Sequence, residues 1–178
     1  VCFQPHIVYL ANSSALKIGI TRIVNMPTRW LDQGATQALP ILKVGSRRLS
    51  GHLETLFGTQ IADKTDWRKL LKGEAEALNL IEQRDQILEE FAPKIQTIRD
   101  EFSQNLEFNE ELEFLEHELP KEFIYPVEQY PEKIKSLNLD KTPKIRGVLH
   151  GIKGQYLLLD IGVINIRKYT GYEMILRT

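Results

Sequence analysis

The chain of 178 residues contains one cysteine and two tryptophans, and much of what it excludes follows from what is scarce. A single cysteine rules out an internal disulfide, which fits a cytoplasmic protein, and alone it cannot complete a zinc site. No apolar run approaches the roughly 20 residues that span a bilayer, and no charged-then-apolar leader opens the chain, so no membrane role is expected. There is no P-loop, no dinucleotide-binding fingerprint, no His/Cys metal cluster and no Ser/His/Asp signature. What remains is phosphodiester chemistry, binding without chemistry, or scaffolding.

What is present is ordinary globular composition, 42% apolar and 26% charged, with a net charge of -1 that conceals a division. Residues 1–73 carry +6, residues 74–119 carry -11, and residues 120–178 carry +4. Two basic ends flanking an acidic middle point to nucleic acid as a partner, since neutralised phosphates supply most non-specific affinity. The competing reading is that Lys and Arg keep small lobes soluble.

The stretch from His6 to Gly34 carries the strongest chemical signal. His6 to Ala11 is a β-branched and aromatic run, Asn12-Ser13-Ser14 is a polar turn, and Leu16 to Thr21 is a second run, which together read as a hairpin. Pro27 suits the first turn of a helix and Gly34 its exit. Alternation puts Ile7, Tyr9 and Ala11 on one face and lines up Lys17, Gly19 and Thr21. Arg29 and Gln33, four apart, project together from the helix. A phenol, an ammonium and a guanidinium around a glycine floor suit an anionic phosphate. The plainer alternative is a hairpin with a half-buried tyrosine and two solvated cations.

Ile7-Val8-Tyr9 and Lys17-Ile18-Gly19, followed by Thr21 and Arg29, resemble the paired motifs of the GIY-YIG nuclease superfamily. Tyr9 matches its first tyrosine, Gly19 its last glycine and Arg29 its helical arginine. Two departures stand out: His6 and Ile7 replace the leading glycine, and Lys17 stands where a second tyrosine is usual. A closer likeness joins HIVYLANSSALKIGITR, PTRWLDQGA, SGHLETLF, TDWRKLL and GIKGQYLLLDIGVINIRKYTGY, in that order. Together they resemble an uncharacterised bacterial family, domain of unknown function 2797, thought to be a divergent relative of GIY-YIG proteins. The resemblance implies a three-stranded antiparallel sheet with flanking helices. It also implies that a cysteine-rich, zinc-ribbon-like segment precedes Val1, with Cys2 its last cysteine.

Further along, Gln37 to Val44 reads as a third strand, with Pro40 placing it at an edge or bulge. Ser46 to about Ala62 reads as a helix with an apolar stripe at Leu49, Leu53, Leu56, Phe57 and Ile61. Opposite lie Arg47, Ser50, Gly51, Glu54 and Gly58. The two glycines each cost helix propensity by roughly 1 kcal/mol, which clearance around Glu54 would offset. Close helix packing over a solvated Glu54 is the alternative. By the resemblance, Glu54 falls where the superfamily places its metal-binding glutamate. A short helix from Asp66 to Leu71, with Thr65 as its cap, brings Trp67 to close this lobe's core. Trp30 is expected in the core rather than as a base-stacking platform. His6 and His52 are weaker candidates for phosphate chemistry.

The acidic middle reads as helical: Ile81, Leu88, Ile95 and Phe102 recur every seven, with Phe91 and Ile98 between them, interrupted at Arg84. Pro93 is expected to kink or break it. Phe108, Leu112, Leu115 and Leu119 read as a second amphipathic segment, giving a helical hairpin or bent arm packed on itself or on a second copy. Beyond Pro120, Ile145–His150, Gln155–Asp160, Val163–Lys168 and Tyr172–Arg177 read as strands of a small sheet or partly closed barrel. Arg146, Lys153, Tyr156, Arg167, Lys168 and Tyr169 are candidates for a nucleic-acid platform there.

The expected fold class is therefore α+β in three parts: a GIY-YIG-like domain over 1–73, an acidic helical arm over 74–119 and a small β domain over 120–178. The resemblance implies an endonuclease that hydrolyses phosphodiesters with one Mg²⁺ or Mn²⁺ held by Glu54, with Tyr9, Lys17, Arg29 and Glu54 catalytic. Gly19, Thr21, Arg22, Gln33 and Arg47 would contact DNA or RNA. A binding module without cleavage and a homodimeric scaffold built on the acidic helices are the alternatives.

Overall fold

The computed structural model describes residues 4–61, 66–73, 75–103 and 111–177. Cys2, Ala62, Thr65 and Phe108, named above, lie outside them. The chain is mixed α+β, with one antiparallel sheet backed by helices and a second, smaller antiparallel sheet toward the C-terminus.

The hairpin pairs β1 (His6–Asn12) with β2 (Leu16–Arg22) antiparallel, Tyr9 facing Gly19, Ile7 facing Thr21 and Ala11 facing Lys17. After a 3₁₀ turn at Ile23–Asn25, a cis Met26-Pro27 peptide leads into α1 (Thr28–Asp32), and Gly34 at φ 69° turns the chain out. β3 (Gln37–Val44) pairs antiparallel with the other side of β1. Its Pro40 lies beside a bulge, where Tyr9 and Val8 face Pro40 and Leu42 and skip Ile41. β2 is the outer strand of this sheet.

The two faces of the sheet divide by residue parity. Ile7, Tyr9, Ala11 and Ala38 meet Trp30 of α1 on one face. Val8, Leu10, Ile18, Leu39 and Leu42 form the larger core on the other. Covering that core is α2 (Arg47–Phe57), begun by Ser46, whose Oγ accepts from the Leu49 amide at 3.1 Å. Its stripe of Leu49, Leu53 and Phe57 points inward, and Ile61 follows outside the helix. Ser50, expected opposite that stripe, is fully buried, its hydroxyl donating to the Arg47 carbonyl at 2.8 Å.

The acidic helix, expected to pack on itself or on a second copy, packs into the main core. As α4, after α3 (Trp67–Lys72), it runs Leu80–Ser103 and lays Leu80, Ile87, Phe91, Ile95 and Phe102 into the same core, with Ile81, Leu88 and Ile98 at the margin. Phe91 meets Phe57 edge to face at 5.3 Å. Arg84, taken as an interruption, is buried instead and donates to the carbonyls of Glu116 at 2.6 Å and Glu118 at 3.3 Å, with Asp85 alongside. Pro93 sits within the helix without ending it.

The second amphipathic helix expected around Leu112 is absent: Leu112–Phe114 is β4 and Lys121–Glu122 is β5, both paired antiparallel with β3. Cross-strand partners far away in sequence outweigh local periodicity here, among them the Lys43–Glu113 ion pair at 2.9 Å. The sheet therefore has five strands rather than three.

In the C-terminal sheet, β6 (Leu149–Lys153), β7 (Tyr156–Leu159) and β8 (Gly162–Asn165) form an antiparallel meander. The fourth expected strand, Tyr172–Arg177, is not one. Asn165 caps a 3₁₀ turn at Ile166–Tyr169 by accepting from the Arg167 amide at 3.0 Å, and this diverts the chain from the sheet. Both sheet edges are covered by irregular chain, Pro126 and Glu128 along β6 and Lys135 to Leu137 along β8. Trp67, expected in the first lobe's core, instead stacks on Tyr156 at 6.3 Å, and Leu70 and Leu71 of α3 join Leu158 and Val163. No helix among the described residues is long and apolar enough to cross a membrane.

If α4 belongs to the core, Phe91→Ala should lower the unfolding free energy by about 3–5 kcal/mol in a denaturant titration. A change near zero would mean that the helix contributes nothing to this fold.

Candidate functional site

A cavity of about 600 Å³ runs along the outer edge of β2. It takes one wall from α1 and the other from α2, which lie on opposite sides of the sheet. Tyr9, Lys17, Gly19, Thr21, Arg22, Arg29, Gln33, Arg47 and Glu54, the residues expected to form the catalytic and phosphate-contacting set, line it, whereas the candidates of the C-terminal sheet do not. His6, Ile18, Ile20 and Asn25 line it too. Four basic side chains thus surround one carboxylate, a field suited to a phosphate chain.

Tyr9 is the fixed point. Its ring has no exposed surface, meets Trp30 edge-on at 5.7 Å, and donates its hydroxyl to Gln33 Oε1 at 3.0 Å. Gly19 is the only residue type that fits beneath it. A Cβ there would lie 2.7 Å from both the Cζ and Oη of Tyr9, closer than atoms in contact come. Burial raises the Tyr9 pKa above 10.0; the charge and hydrogen bond of Arg29 and the hydrogen bond of Gln33 oppose this, and Glu54 adds to the rise. At neutral pH Tyr9 is a protonated phenol, a donor and an orienting group rather than a ready base.

Burial of Lys17 brings its ammonium to the site from β2, with only 8% of the residue exposed. Arg29 and Gln33 come from α1 and its C-cap, and Arg47 and Glu54 from α2. The expected glycine clearance around Glu54 has a different beneficiary. A Cβ on Gly51 would meet Nη1 of Arg47 at 3.2 Å, so this glycine makes room for the guanidinium.

His6, at the start of β1, also lines the cavity. Its Nδ1 lies 2.6 Å from the Gln4 carbonyl oxygen, which can only accept, so Nδ1 carries the proton and Nε2 is the basic nitrogen of the neutral ring. The signal available was its place at the start of the strand that carries Tyr9. His52, by contrast, stands outside the cavity with its ring against Phe102 at 5.2 Å. Trp30 is fully buried and so unavailable for stacking on a base.

Among the described residues there is no group of three or more His, Cys, Asp or Glu that could hold a metal. Glu54 is a lone carboxylate, the donor set that suits Mg²⁺ or Mn²⁺ completed by water and substrate oxygens, and it does not suit zinc.

The model of a family described as protein of unknown function (DUF2797) matches residues 1–174, and the chain belongs to that family. Comparison with curated proteins and with solved structures gives no match.

Two outcomes follow from the Tyr9 environment. Gly19→Ala should cost about 1–3 kcal/mol of stability, because the ring is wedged by Trp30 and has nowhere to retreat; an unchanged melt would show that the ring moves freely. With a raised folded pKa, the stability tied to the Tyr9 proton is complete below pH 10.0 and is lost as pH climbs through the raised value. Tyr9→Phe should therefore flatten the alkaline fall of the unfolding free energy, and a curve parallel to that of the wild type would contradict the assignment.

Proposed function

We propose that the cavity along β2 binds the phosphodiester backbone of a nucleic acid and hydrolyses it, and that the first lobe is a divergent relative of GIY-YIG nucleases. The observation that carries the reading is the convergence of Tyr9, Lys17, Arg29 and Glu54. They come from β1, β2, α1 and α2, and all face one cavity floored by Gly19.

Each side chain has a task that follows from its chemistry. Arg29, Lys17, Arg22 and Arg47 neutralise the phosphate, and Arg29 and Lys17 stabilise the charge that builds on the phosphoryl oxygens. Tyr9, held protonated, orients the attacking water instead of stripping its proton. Nε2 of His6, basic in the neutral ring, is the cavity's candidate acceptor for that proton. Glu54 would hold the divalent ion. Bound there, Mg²⁺ or Mn²⁺ supplies Lewis acidity at the phosphoryl oxygen.

A second reading, a nucleic-acid-binding module that does not cleave, is favoured by one specific observation: Lys17 stands where the resembling nucleases carry their second tyrosine. The two readings part in one assay. Against single- and double-stranded DNA and RNA with Mg²⁺ or Mn²⁺, Glu54→Gln should abolish cleavage while keeping affinity equal or slightly higher, because it removes only the charge that holds the ion. Arg29→Ala should reduce both affinity and cleavage, since it meets the phosphate in ground and transition states alike. Cleavage by Glu54→Gln at the wild-type rate would refute the metal role, and absence of cleavage in the wild type with binding intact would establish the module.

A further inference from the structure

A second cavity, of about 780 Å³, lies between α1 and the C-terminal sheet and shares Asn25 and Arg29 with the first. We infer that it receives the base and sugar of the nucleotide adjoining the phosphate held beside Arg29, an inference that rests on the nucleic-acid reading above.

Three observations support it. The first is chemical contrast. The cavity along β2 is ringed by cations, whereas this one has Arg29 and Arg167 offset by Asp32, with walls from Ile152, Tyr156 and Leu157. A less cationic space with apolar walls and a few amide and carboxylate groups fits a nucleobase, whose faces are apolar and whose edges donate and accept hydrogen bonds. Phosphate alone would gain nothing from such walls.

The second observation is continuity. Arg29 lines both spaces, so a phosphate beside its guanidinium has the cationic cavity on one side and the apolar one on the other. The third is that the space is rigidly built. The turn between β6 and β7 is pressed onto the end of α1. Gly154 adopts φ +57°, and a Cβ there would lie 3.0 Å from the Asp32 carbonyl oxygen and the Gly34 amide nitrogen. Tyr125 donates its hydroxyl to the carbonyls of Ala35 at 2.9 Å and Leu31 at 3.2 Å. Trp67 holds one face of Tyr156. The docking that seats the small sheet thus also fixes the width of the cavity.

The test uses the full chain and two probes of about 12 units, a length typical of single-strand sites. One is an abasic sugar-phosphate chain, and the other is the same chain bearing a single adenine at its centre, which prevents a slip in register from hiding the effect. Fluorescence anisotropy at low salt should show the adenine-bearing probe binding about tenfold tighter, within the range of one stacked base. In Gln155→Ala/Arg167→Ala, which alters two residues lining this cavity, one half-buried and one exposed, the ratio should fall to one even if both affinities drop. Equal binding of the two probes by the wild type would overturn the inference and leave the backbone reading intact, as would a ratio unchanged in the variant. Failure of both probes to bind would remove the nucleic-acid reading and this inference with it.

Discussion

The register that sets Gly19 opposite Tyr9 is the constraint on which the site depends. Because side chains across an antiparallel pair share a face, this one pairing places a phenol over a residue without a side chain. A slip by one residue would send Tyr9 toward the α2 side and bring Ile18 or Ile20 under its ring. Trp30 and Gln33 then hold the phenol from α1, and Arg29 on the same short helix meets it. The hairpin register, the helix and the site are one arrangement, so a change that loosens one loosens all three.

Charge is sorted by the same sheet. The cationic cavity opens at the β2 edge between α1 and α2, and α1 faces the C-terminal sheet, while α4, with six of the fourteen acidic residues of the middle segment, packs on the face that α2 covers. Phe91 and Ile95 enter the core and leave the glutamates of that helix exposed to solvent. An overall charge near zero is therefore compatible with strong local attraction for a polyanion.

The hairpin, β3 and the start of α2 near Ser46 were legible because their signals are local: period-two alternation, a polar turn, an apolar stripe at helical spacing; Glu54 was placed in the site by resemblance rather than by a local signal. The fate of residues 112–122 was not, since β4 and β5 are defined by pairing with β3 some 70 residues earlier, as Lys43 and Glu113 show. Trp67 and Gly154 were misjudged or unremarked for the same reason: each takes its meaning from a partner in the other sheet, Tyr156 for one and the end of α1 for the other. Gly51 was recognised as a space-maker but assigned to the wrong side chain, because spacing along a helix does not tell which rotamer Arg47 adopts.

The central claim is that the cavity along β2 holds phosphates, and the salt dependence of binding counts them. For single-stranded oligonucleotides the slope of log K against log salt falls by about 0.7 for each phosphate contact removed. Replacing Arg47 or Arg22 by alanine should make the wild-type slope shallower by about that amount. Replacing Lys141, an exposed lysine outside the cavity, should leave it unchanged. A slope insensitive to Arg47 and Arg22, or affinity that does not respond to ionic strength, would contradict the account.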